Sequence, residues 1–151
     1  MARRKRSPQQ LPVELHLQSI EHAYISLQRT QRTLAAMLIA AAVAGFVFFP
    51  AHEPLGKRIF LPVIFATTLM TFAYTVRNSM VQPALAELRR QPGNRALLAR
   101  WRRNNLIVFC MLTAVGVIGF GMQLFGAAAP ISVTLYACAV GYLFLLRPTR
   151  P

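Results

Sequence analysis

Residues 104–146 read NNLIVFCMLTAVGVIGFGMQLFGAAAPISVTLYACAVGYLFLL, 43 positions without one Asp, Glu, Lys, Arg or His. A helix rises about 1.5 Å per residue and the hydrocarbon core of a bilayer is roughly 30 Å thick, so one crossing takes about 20 residues. The stretch is too long for one crossing and fits two joined by a turn. Gly126-Ala127-Ala128-Ala129-Pro130 supplies that turn. Pro130 suits a first helical turn, where its missing N–H has no intrahelical partner to lose. The third and fourth spans are read as residues 106–125 and 130–146.

Working outward, the same test finds two earlier spans. The 19 residues between Arg32 and His52 carry no ionisable side chain, and a similar apolar run lies between Arg58 and Arg77. These give spans at residues 34–50 and 59–76. The expected fold is an all-α membrane protein, four transmembrane helices as two hairpins, with residues 34–151 forming one membrane domain. Composition agrees: 55% of residues are hydrophobic and 14% charged, against roughly 25% charged in soluble domains.

Seventeen Lys and Arg stand against four Glu and no Asp, for a net charge of +13. Residues 1–33, 77–105 and 147–151 hold +4, +6 and +2 of it. Lys and Arg are retained on the cytoplasmic side of inserted helices, so this distribution places both termini and the loop 77–105 inside the cell. Topology accounts for the charge without a nucleic-acid ligand, and no nucleic-acid-binding motif is present. The Arg3-Arg4-Lys5-Arg6 cluster precedes the first apolar run by 27 residues, too far for the basic start of a cleavable signal. Fifteen Arg to two Lys and alanine-rich spans point to a GC-rich genome and a bacterial inner membrane.

The cytoplasmic segments have helical patterns of their own. Val13, Leu17, Ile20, Tyr24, Leu27, Gln31 and Leu34 recur every three or four positions, the stripe of an amphipathic helix ahead of span one within the basic segment 1–33. Residues 83–90 and 94–103 read as a helical hairpin broken at Gln91-Pro92-Gly93, with Asn94 capping the return helix. Trp101 among Arg100, Arg102 and Arg103 reads as an interfacial anchor with snorkelling cations. With Arg3, Arg4, Lys5, Arg6, Arg89 and Arg90, these residues are the expected contacts to anionic headgroups or a protein partner.

Within the spans, Ala36, Ala40 and Ala44, and Ala137 and Gly141, repeat every four residues and form small-residue faces for close helix packing, within a chain or by self-association. Thr67, Thr71 and Thr75, followed by Asn78, make the most polar intramembrane face. It reads first as hydroxyls back-bonded to their own helix and second as a translocation path. Pro62 and Tyr74 match Pro130 and Tyr142 in spacing, with Ala73 and Gly141 before the tyrosines, a faint parallel repeat of the hairpins.

Chemistry is sparse. Ionisable residues inside spans usually mark proton relays and ion coupling, and none is present here. His16, His22 and His52 lie outside the spans, which leaves no haem ligands. Cys110 and Cys138 lack redox spacing and read as packing residues. His22 beside Glu21 reads as a solvated helix face, and His52-Glu53 as a solvated outer turn. No cofactor, metal or catalytic residue is assigned. Two functions follow: a non-catalytic accessory or assembly subunit of a larger inner-membrane complex, or a small homo-oligomeric transporter, channel or lipid-handling protein.

Overall fold

The computed structural model describes residues 10–48, 60–125 and 129–149, with side chains of the first helix described from Gln18 onward. The elements are α1 (Gln10–Phe48), α2 (Phe60–Val76), a π-helical segment (Arg77–Val81), α3 (Gln82–Arg90), α4 (Arg95–Leu124) and α5 (Ala129–Leu145). Among the described residues there is no strand. Gln18–Phe48, Phe60–Arg90 and Arg95–Leu124 are long and apolar enough to cross a membrane, and Pro130–Leu145 is a shorter apolar helix. The arrangement is compatible with a multi-pass membrane protein, and its apolar helices cover the four segments read from the sequence. The Arg3 to Arg6 cluster, the loop with His52 and Glu53, and the turn at Gly126-Ala127-Ala128 lie outside the described residues.

One expected boundary is absent. The stripe ahead of span one is no separate helix, because α1 runs unbroken for 39 residues. Nothing in Thr30-Gln31-Arg32-Thr33 interrupts it, there being neither Gly nor Pro. The stripe turns inward: Leu27 and Gln31 are buried, and Ile20, Tyr24 and Leu34 are half-buried. The helices expected at 83–90 and 94–103 are present on either side of the break at 91–94, as the ends of longer helical stretches. From Phe60 to Arg90 the chain is continuously helical, and α4 begins again at Arg95. Between them Asn94 accepts hydrogen bonds from the backbone N–H of Ala96 (3.1 Å) and Leu97 (3.3 Å), the N-cap geometry expected of it.

The π-helical segment reconciles two faces of that long helix. Buried positions in α2 are Ala66, Ala73 and Val76, and downstream Val81, Ala84, Leu85 and Leu88. The step of five from Val76 to Val81 is one residue more than an α-helix uses to return to the same face. A π turn absorbs such an extra residue. Pro83 lies just after the π segment, at the start of α3, and its ring nitrogen donates no hydrogen bond, which weakens the regular ladder there.

α4 is the hub, packed against α1, α2 and α5, while α1 packs against α4 and α5 rather than α2. Among the described residues the more extensive packing within a hairpin is that of α4 on α5. The positions matched in the faint repeat differ in surroundings, Ala73 being buried and Gly141 exposed. The adjacent buried residues Asn104 and Asn105, Val108 and Phe109, and Val115 and Gly116 widen the inward stripe of α4 enough to meet several neighbours. Leu38 meets Gly116, and Gly45 meets Gln123. Both pairs have the same offset along the chain, so α1 and α4 run parallel.

Interior polar groups fasten the basic end of the bundle. The last four carbonyls of α5 have no partner within the helix. Leu146 N–H donates to Tyr142 O (2.8 Å) and Arg147 N–H to Phe144 O (3.3 Å). Gln31 Nε2 of α1 donates to Leu143 O (2.6 Å) and Arg77 Nη1 to Leu145 O (3.1 Å). Gln31, polar within an apolar stripe, is thus a cap supplied by one helix to another.

Candidate functional site

Where the N-terminal end of α1 and the basic N-terminal end of α4 lie side by side they leave a groove of about 1070 Å³. The α4 wall is Arg95, Leu98, Ala99, Arg102, Arg103 and Leu106, and the α1 wall is Ser19, His22, Ala23 and Ser26. Positions 95, 99, 102 and 106 share one helical face, as do 19, 22 and 26. Among the described residues the walls therefore carry three guanidiniums, an imidazole and two hydroxyls, and no carboxylate. The side chain of His22 is engaged through Nδ1 with the Gln18 carbonyl (3.0 Å), a back-bond along its own helix.

A second hollow of about 580 Å³ continues down α1, lined by His22, Ile25, Ser26, Arg29, Thr30, Thr33 and Leu34. His22 and Ser26 belong to both. The combined trough passes from a cationic mouth to Leu34 and Leu106, the residues at which the apolar runs of α1 and α4 begin. Such a surface fits an anionic amphiphile, because guanidiniums make forked hydrogen bonds to phosphate oxygens while leucines cover hydrocarbon.

Of the residues singled out from the sequence, Arg102 and Arg103 line this groove, and Arg89, Arg90 and Arg100 are exposed outside it. Trp101 is a correction. It is 0% exposed and packed in the core, not at a lipid interface. It lies on the inward stripe of α4 with Asn104, Asn105 and Val108, and this periodicity outweighs its arginine neighbours. Asn105 Nδ2 donates to Trp101 O (2.9 Å), and Asn104 Nδ2 to Met80 O (3.2 Å) in the π segment.

The small-residue faces also point elsewhere than inward. Ala36, Ala40, Ala137 and Gly141 are exposed and Ala44 is half-buried. Close approach inside the chain occurs instead at Gly45, Gly116 and Gly119, where an added Cβ would press on Gln123, Leu38 and Leu135. Thr67, Thr71, Thr75 and Asn78 are exposed. The three hydroxyls donate to Val63 O, Thr67 O and Thr71 O at 2.8, 3.0 and 2.9 Å, so their donors are satisfied within α2. Cys110 is exposed and Cys138 half-buried, both as free thiols.

Sequence reasoning did not single out Ser19, Ser26 or Arg95. The signal available was the polar sequence Ser19, His22, Ser26, Arg29 and Thr33, spaced by three and four beside the apolar stripe. Among the described residues, the buried atoms Trp101 Nε1, Gln123 Oε1, Ser132 Oγ and Tyr136 Oη have no hydrogen-bond partner. Among the described residues, no three His, Cys, Asp or Glu side chains gather in a metal-binding group. Compared with protein-family models, curated proteins and solved structures, the chain matches none.

Proposed function

We propose that the protein is a non-catalytic accessory or assembly subunit of a larger complex in a bacterial inner membrane, with its basic ends in the cytoplasm. The observation that carries this reading is the outward placement of Ala36 and Ala40 on α1 and of Ala137 and Gly141 on α5. Small residues let helix backbones approach closely, and in lipid that approach, not hydrophobic exclusion, drives association. A ladder of them that the chain does not bury is suited to another helix. The alternative, a small homo-oligomeric transporter using the threonine face of α2, has weaker support. Those hydroxyls are spent on their own helix, and the hollow beside them, about 420 Å³, is lined by α2 residues alone.

The test is purification in mild detergent of the wild type and of an Ala36→Leu/Ala40→Leu variant. We expect the wild type to co-purify with a stoichiometric partner and the variant to lose it with unchanged thermal stability. A monodisperse wild-type chain with nothing attached overturns the reading.

A further inference from the structure

We propose that the trough between α1 and α4 binds an anionic phospholipid, its headgroup phosphate held by Arg102 and Arg103 with Arg95 at the outer end of the trough, and its acyl chains lying past Leu106 and Leu34. This goes beyond the accessory role and holds whether or not a protein partner exists. Three features favour lipid over a soluble anion or an acidic protein segment.

The first is charge, since among the described residues the walls carry three arginines and no carboxylate. The second is polarity along the trough. The part between α1 and α4 carries the arginines and serines beside Ala23, Leu98 and Ala99 and ends at Leu106, and the hollow that continues it along α1 ends at Leu34. A free phosphate would use only the mouth, whereas a phospholipid matches both parts. The third is depth. α1 and α4 run parallel, and the apolar runs of both begin where the trough ends. Arg102 and Arg103, within about 6 Å of Leu106 along the helix axis, therefore lie at headgroup level, where basic pockets between transmembrane helices recognise anionic headgroups, and Arg95 stands farther out on the cytoplasmic side. The part between the two helices, from Arg95 to Leu106, has a volume of about 1070 Å³, which leaves room for a headgroup.

The experiment uses the full chain in a non-ionic detergent, titrated with phosphatidylglycerol or phosphatidylcholine, with bound lipid counted by native mass spectrometry. Phosphatidylglycerol is expected to bind at least about ten-fold more tightly than phosphatidylcholine. Arg95→Gln/Arg102→Gln/Arg103→Gln should abolish that preference. Arg90→Gln/Arg100→Gln/Arg147→Gln, which removes the same charge elsewhere, should keep it within about two-fold.

Ala99→Trp fills the trough without altering charge and should also lose the lipid. If the glutamine triple fails to fold, Ala99→Trp and the corresponding lysine triple, expected to retain binding, carry the same comparison. Equal loss in both glutamine triples would reduce the effect to general electrostatics and overturn the proposal. Equal binding of the two lipids would do the same. Displacement of phosphatidylglycerol by low-millimolar inorganic phosphate would make this a free-phosphate site and refute the lipid assignment.

Discussion

Gly116 and Gly121 lie on the same helix and call for opposite outcomes on substitution. A Cβ at Gly116 would run into the buried side chain of Leu38, and one at Gly119 would stand 3.2 Å from Leu135 Cβ. At Gly121 a Cβ meets nothing within 4 Å. Overpacking a fitted interface costs about 1–3 kcal/mol, whereas Gly→Ala in an open helix interior gains roughly 0.5–1 kcal/mol. Gly116→Val should therefore lower the unfolding midpoint in detergent, and Gly121→Ala should leave it unchanged or raise it. If Gly116→Val is neutral, the close contact between α1 and α4 is not present. Sequence alone could not separate these glycines, since all three fall in one apolar helix. The same holds for Trp101, whose neighbours Arg100, Arg102 and Arg103 describe an interface while its place on the stripe puts it inside. Local composition and helical phase disagreed there, and phase prevailed because four residues of one face move together.

At the scale of elements, the π segment makes the sharpest prediction. If Arg77–Val81 carries one extra residue, deleting exposed Ser79 should restore a regular helix whose two halves still face α4. Deleting exposed Phe72 from regular α2 should rotate everything beyond it by about 100° and lift Ala84, Leu85 and Leu88 off α4. Thermal unfolding in detergent should show a small change for the first deletion and a loss of several kcal/mol-equivalents of packing for the second. Equal damage from both would refute the extra-residue account. The cap at Asn94 is a milder case: Asn94→Ala should cost about 1 kcal/mol. The cap was legible in the sequence because it is local. The π turn was not, because its cause is the need to keep two distant stretches on one neighbour.

For the whole molecule, orientation is the property most open to test. The N-terminal end of α1, which follows the Arg3 to Arg6 cluster in sequence, and the basic ends of α3 and α4 should face the cytoplasm. On a background with Cys110 and Cys138 replaced by alanine, Arg90→Cys should react with a membrane-impermeant maleimide only in inside-out vesicles, and Phe125→Cys only in spheroplasts. Both parent positions are exposed. The reverse labelling pattern would overturn the charge argument and would also move the lipid site to the opposite leaflet.

The amino-acid sequence by itself determined which segments are apolar, how long they are and where charge is withheld, because the cost of placing an ionised group in hydrocarbon depends on that residue and not on its neighbours. Those facts suffice for four apolar helices and for the cap at Asn94. Only the tertiary structure decided which helices touch. It made α4 the hub, turned the alanine and threonine faces outward, buried Trp101, joined Gln31 to the end of α5 and opened a basic trough beside α1. The physical reason is that lipid is as apolar as the side chains it surrounds. Hydrophobicity selects what enters the membrane, and partner choice is left to shape and to a few buried hydrogen bonds.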